Sequence, residues 1–140
     1  MSQTAYPTLD LSGVASDPAP ASGSPLSLTL APYATADADA TLSVGNLSTG
    51  VLDTAAATAT RTYTLPTAAK VVAAISSASV GVSLDFTVVE TSSNAVTLAV
   101  GAGGAALGDL VVAADTSVPF RLRLTNVTSG SEAYTLTRLG

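Results

Sequence analysis

From Leu26 onward the chain places apolar side chains at every second position, with Thr or Ser commonly between them. Leu26, Leu28 and Leu30 begin the pattern. It recurs at Leu42 and Val44, at Arg61, Tyr63 and Leu65, at Val82, Leu84, Phe86 and Val88, at Val96, Leu98 and Val100, and at Val118, Phe120, Leu122 and Leu124. A period of two sends alternate side chains to opposite faces of a pleated strand, so each run predicts a half-buried strand. With shorter runs at 110–113 and 134–139, about eight strands are expected. The segment from Ala68 to Ile75 departs from the alternation, follows Pro66-Thr67 and is rich in helix formers, which predicts one short helix.

Turn residues separate the runs at Ser92-Ser93-Asn94, Gly101 to Gly108 and Ser129-Gly130-Ser131. Short strands punctuated in this way predict an all-β domain over residues 26–140, a β-sandwich or jelly-roll-like barrel. No internal repeat stands out clearly enough to predict a solenoid. Residues 1–25 differ: they hold four of the seven prolines, Pro7, Pro18, Pro20 and Pro25, and show neither strand nor helix periodicity. They are expected to form an extended N-terminal arm, with Tyr6, Leu9, Leu11 and Val14 as apolar anchors for a partner.

Only 11% of the residues are charged while 47% are apolar. An average soluble protein carries about 25% charge, so this surface is short of it and is expected to be covered by other protein. Every apolar stretch is interrupted by Thr or Ser well before the ~18 residues a membrane span needs. The start Met1-Ser2-Gln3-Thr4 has no secretory pattern, which predicts that the chain stays in the compartment where it is made. The sequons Asn46-Leu47-Ser48 and Asn126-Val127-Thr128 are read as chance. The five basic residues, Arg61, Lys70, Arg121, Arg123 and Arg138, are scattered in a chain of net charge −5 and form no patch for nucleic acid.

The chain has no His and no Cys. That removes the Ser/His/Asp triad, the thiol nucleophile and most zinc chemistry, and no cofactor is expected. Asp85 and Glu90 are the nearest carboxylate pair for glycoside hydrolysis, but an odd spacing sends them to opposite faces of a straight strand, and both are read as solvated. Gly101-Ala102-Gly103-Gly104-Ala105-Ala106 satisfies the dinucleotide-binding pattern formally, yet Leu107 to Val112 is too short and glycine-broken for the helix that pattern requires. It is read as a loop. Asp37 and Asp39 are acidic enough for calcium but lack the frame of further ligands. Four dispersed tyrosines, Tyr6, Tyr33, Tyr63 and Tyr134, suit core or interface packing better than a platform for sugars. Arg121 and Arg123 share the outward face of one strand, either solvated or facing acidic groups of a neighbouring subunit.

Two stretches carry a resemblance: Tyr63-Thr64-Leu65-Pro66-Thr67-Ala68-Ala69, and Asp85-Phe86-Thr87-Val88-Val89 through Ala95-Val96-Thr97-Leu98-Ala99-Val100-Gly101-Ala102-Gly103-Gly104. Together with Phe120–Val127 and Ala133–Leu136 they resemble β-rich phage virion modules, among them the cement (decoration) proteins of tailed-phage heads. The resemblance spans about residues 60 to 139 and implies a virion subunit, commonly a homotrimer, on the outer surface of the capsid. Its implied partners are the major capsid protein and further copies of itself, with no nucleic acid, membrane or catalytic residue involved. Arg121, Arg123 and Tyr134 are then expected at the subunit interface. Two other functions compete: a head- or tail-fibre module binding host surface glycans, and a small glycosidase or esterase using Asp85 and Glu90.

Overall fold

The computed structural model describes residues 31–140, which form ten strands and two helices. In chain order these are β1 (Tyr33–Ala34), β2 (Ala40–Thr41), α1 (Val44–Ser48), β3 (Val51–Thr54), β4 (Arg61–Thr64), α2 (Ala68–Ala74), β5 (Ser83–Glu90), β6 (Val96–Ala99), β7 (Gly104–Leu107), β8 (Val111–Val112), β9 (Thr116–Asn126) and β10 (Ala133–Arg138). They make a six-stranded sheet ordered β1-β3-β5-β9-β10-β7 and a four-stranded sheet ordered β2-β4-β6-β8.

From β1 to β8 the chain passes from one sheet to the other at every step. Strands two apart in chain order therefore lie side by side at the start of each sheet, and β1, β3 and β5 run parallel, as do β2, β4 and β6. These six strands form a flattened coil whose first two turns each return through a helix, α1 and α2. Tyr33, Leu52 and Val88 stand in one row across the larger sheet, and Ala40, Tyr63 and Leu98 in one row across the smaller. After the coil, β9 pairs antiparallel with both β5 and β10, β8 pairs antiparallel with β6, and β7 pairs parallel with β10.

This corrects the expected all-β sandwich or jelly-roll-like barrel of about eight strands with one helix. The fold is mixed α/β, with parallel and antiparallel pairs in both sheets and two helices. Alternation reports which face of a strand is buried, whereas strand direction is set by partners far away in sequence. The coil leaves no fixed repeat in the sequence because the interval between equivalent residues, from Tyr33 to Leu52 and then from Leu52 to Val88, nearly doubles.

Local chemistry accounts for the helices. Val44, expected in a strand, opens α1 because Ser43 caps it: the Ser43 hydroxyl accepts from Asn46 N, and Asn46 Oδ1 accepts from Ser43 N. The expected helix at Ala68 to Ile75 is present as α2, started by the Thr67 side chain accepting from Lys70 N. It ends at Ile75, whose backbone is extended. Alternation missed four strands: the two-residue β1 and β2, β3, whose inward positions are Leu52 and a threonine, Thr54, and β7, whose Gly-Ala-Ala sequence reads as loop.

Both sheets and both helices contribute to one core. Leu52, Phe86, Val88, Phe120 and Leu122 come from the larger sheet, Tyr63, Val96, Leu98 and Val112 from the smaller, and Leu47 and Val71 from the helices. Phe86 and Phe120 are register partners with ring centroids 5.9 Å apart. Burial at these positions follows the sequence alternation closely, most clearly in β9, where Val118, Phe120, Leu122 and Leu124 are buried and the residues between them exposed.

The glycine run after β6 is held by Tyr134. Its hydroxyl accepts from Gly101 N at 3.0 Å and donates to Pro66 O at 3.0 Å. A Cβ on Gly104 would stand 2.6 Å from the Tyr134 ring, and one on Gly101 would stand 2.6 Å from the carbonyl oxygens of Leu65 and Pro66. Gly103 adds a positive φ of +83°. Gly101→Ala and Gly104→Ala are expected to destabilise the fold by about 1–3 kcal/mol each, because the contacted groups are fixed. Gly45→Ala, inside α1 where a Cβ would make an ordinary contact 3.6 Å from Ser43 Oγ, is expected to stabilise by about 0.5–1 kcal/mol. Urea unfolding of the three variants against the parent checks both signs.

Candidate functional site

The two carboxylates of β5 do not share a cleft. Asp85 lies on the outer face, where Arg121 grips it with two hydrogen bonds, Nε to Oδ1 and Nη2 to Oδ2, both 2.8 Å. Both side chains are about half exposed. The Arg121 guanidinium holds the Asp85 carboxyl below its ordinary value of 3.8. Glu90 corrects the expectation of a solvated side chain: it is fully buried, on the same face as Phe86 and Val88. The Thr54 hydroxyl lies 2.9 Å from Glu90 Oε2, and Ser92 N donates to Oε1. The signal was available, since Phe86, Val88 and Glu90 share one parity on the strand.

Asp37 and Asp39 fasten the β1–β2 connection onto β4. Asp37 Oδ1 accepts from Arg61 Nε at 2.7 Å and Oδ2 from Thr58 N at 3.0 Å, while Asp39 Oδ1 accepts from Thr62 N at 2.9 Å. The Arg61 hydrogen bond, chiefly, keeps the Asp37 carboxyl below its ordinary value. Beneath them the buried Tyr63 hydroxyl accepts from Thr35 Oγ1 at 2.8 Å and faces the carbonyl oxygens of Ala36 and Ala55. Carboxylate oxygens already turned to a guanidinium and to backbone N–H groups are not arranged to ligate calcium. Among the described residues, no three His, Cys, Asp or Glu side chains gather where a metal could sit.

The dinucleotide pattern ends in a strand. After β6 the chain turns through Gly101–Gly103 and enters β7 instead of a helix, and the N-terminus of α2 that packs on this turn spends its first N–H on it, Ala68 N donating to Ala102 O. Tyr63 and Tyr134 are buried within the chain, so Tyr134, expected at a subunit interface, lies in the core of its own subunit. Burial pushes its phenol up in pKa, against the pull of the Gly101 N–H. Tyr33 is partly exposed on β1. Arg123 projects from the exposed face of β9 beside Arg121, whose acidic partner proves to be in its own chain. Tyr6, Leu9, Leu11 and Val14 lie outside the described residues.

What the structure brings together instead is uncharged surface. On the outer face of the smaller sheet, Thr41, Thr64 and Ala99 form one row and Thr62, Thr97 and Val111 the next. Beside them an open groove of about 260 Å³ is lined by Asp39, Ala40, Thr41, Thr62 and Thr64. No helix of the described residues is long and apolar enough to cross a membrane. Comparison with protein-family models, curated proteins and solved structures gives no significant match.

Two measurements probe these contacts. Glu90→Ala is expected to lower stability by about 1–3 kcal/mol because it empties a fully buried position and takes the acceptor from Ser92 N. Glu90→Gln costs less, since its amide keeps the volume and an oxygen to accept from Ser92 N, while the Thr54 hydroxyl turns its proton to Val89 O, also 2.9 Å away. Asp37 and Asp85 have folded-state pKa values below their unfolded ones, so the stability they add is present above the ordinary value of 3.8 and is lost as pH falls through the depressed values. Asp85→Asn is expected to flatten the acid limb of a urea-midpoint profile slightly, as befits an exposed pair.

Proposed function

We propose that this chain is a phage capsid cement (decoration) protein that binds the outside of the head and stabilises contacts between major capsid subunits. The observation that carries the proposal is the charge-poor exterior, above all the threonine, alanine and valine face of the smaller sheet. Such a face is wettable in isolation and brings no charge to desolvate when it is covered by a partner that supplies hydrogen bonds to its hydroxyls. The resemblance of residues 60 to 139 to virion modules gives that face its class of partner, and Tyr6, Leu9, Leu11 and Val14 give the N-terminal arm apolar anchors on the capsid.

The mechanism is linkage. A subunit that binds the assembled lattice and not its separated components adds binding free energy to the assembled state in proportion to occupancy. A proline-rich arm suits this role because it loses less conformational freedom on ordering than a flexible chain and offers main-chain hydrogen bonds to a partner edge. The glycan-binding alternative is weakened by the tyrosines: Tyr63 and Tyr134 are in the core, leaving Tyr33 as the exposed tyrosine among the described residues.

The test mixes purified protein with phage heads lacking a decoration protein and images them. Decorated heads that withstand heating better than bare ones are the expected result. Deletion of residues 1–25 is expected to weaken head binding by about tenfold or more. Unchanged binding without residues 1–25 removes the arm from the mechanism, and specific binding on a glycan array with none to heads replaces the proposal by the fibre reading.

A further inference from the structure

The two sheets have four edge strands, β1, β7, β2 and β8, and they differ in how they are protected. An edge exposes unpaired N–H and C=O groups that invite another strand, and proteins blunt such edges with short strands, proline, charge or caps. β1, β2 and β8 have two residues each, and β1 follows Pro32. β8 is also capped: Asp109 Oδ1 accepts from Val111 N, and Arg138 Nη1 donates to Val111 O. β7 has none of these devices. It has four residues, Gly104-Ala105-Ala106-Leu107, with no charge and no proline, and among the described residues no strand flanks its outer side. Its last three residues are exposed, Leu107 by half.

The direction of this edge selects its partner. β1, β3 and β5 run together, β9 is reversed, and β10 and β7 are reversed again, so the two edges of the six-stranded sheet, β1 and β7, point the same way. Copies placed side by side with strands aligned therefore bring the β1 side of one against the β7 side of the next in parallel register, a head-to-tail contact. Residues 26–30, Leu-Ser-Leu-Thr-Leu, lead directly into β1 and have the alternation of a strand. They cannot lie along β7 of their own chain: five strand spacings of about 4.8 Å separate β1 from β7, and the three residues from Leu30 to Tyr33 reach about 11 Å at most.

We propose that the β7 edge of one copy is the docking site for residues 26–30 of a neighbouring copy, joining six-stranded sheets head to tail into a closed ring. Ala105 and Leu107 turn their backbone toward β10, as Gly103 does in accepting from Tyr134 N, so Ala106 N and O face the incoming strand. Leu107 gives the leucines of the neighbour an apolar side chain to cover. The inference deepens the assembly reading above and rests on it for the expectation of self-association.

Light scattering of the eluting full chain at about 100 μM, far above the dissociation constant of a specific ring, gives the subunit count. A discrete oligomer is expected. Ala106→Pro removes the outward N–H without touching the β10 ladder and is expected to yield a folded monomer. Ala105→Lys, which puts charge on the edge, is expected to weaken association by about tenfold or more and decides the matter if the proline variant does not fold. Deleting residues 1–30 is expected to give monomers, whereas deleting residues 1–25 leaves the oligomer intact. A monomeric full chain, an Ala105→Lys variant that dissociates on dilution no more readily than the parent, or an oligomer that survives loss of residues 1–30 overturns the proposal. Monomers that still bind heads sink the ring and leave the capsid role standing. Rings that ignore heads do the reverse.

Discussion

The Tyr134 hydroxyl, bridging Gly101 N and Pro66 O, is the contact on which the assembly of the two sheets depends. Pro66 closes the passage from β4 into α2, and Gly101 opens the passage from β6 into β7. Tyr134 itself stands on β10, next to β7. One buried side chain thus ties a strand exit from the smaller sheet, the start of a helix and the last strand of the larger sheet. A buried hydroxyl without partners costs several times what a satisfied one contributes, so this position admits few alternatives. The glycines follow from it, because the ring and the carbonyls of Leu65 and Pro66 occupy the space of their missing side chains.

A second buried tyrosine has the corresponding role at the other end of the coil. Tyr63, on β4, gathers Thr35, Ala36 and Ala55, while Asp37 and Asp39 hold the same connection from outside through Arg61, Thr58 and Thr62. A core of Ala, Val and Leu with two phenylalanines is thin, and directional bonds to tyrosine compensate by fixing how the layers sit. Charge is used locally within the chain: Arg61 on Asp37, Arg121 on Asp85, and Arg138 on the carbonyls of Asp109 and Val111. The outer face of the smaller sheet is left with uncharged rows of threonine, alanine and valine, which is why surface association, and not a chemical centre, carries the functional proposal.

Much of the local structure was legible. The alternation at Val118 to Leu124 marks the buried and exposed faces of β9, and the parity of Asp85 and Glu90 separates them across β5. The helix at Ala68 announces itself through Thr67 and good helix formers. Val44 misled because a valine two positions after a leucine satisfies a strand pattern as well as the first turn of a helix capped by Ser43. Glu90 misled because charge was given more weight than its parity with Phe86 and Val88. Gly104 to Leu107 carried no strand signal at all, since small residues fit an edge strand and a loop equally well.

Sequence alone determined where most strands and helix caps form, which faces they bury, and that little charge remains for the surface, because these depend on contacts within a few residues. Only the tertiary structure decided that successive strands change sheets, that neighbours run parallel, that Tyr134 belongs to the core and that β7 is the open edge. Those features depend on partners tens of residues apart. A period of two fixes the face of a strand, but neither its direction nor its neighbour.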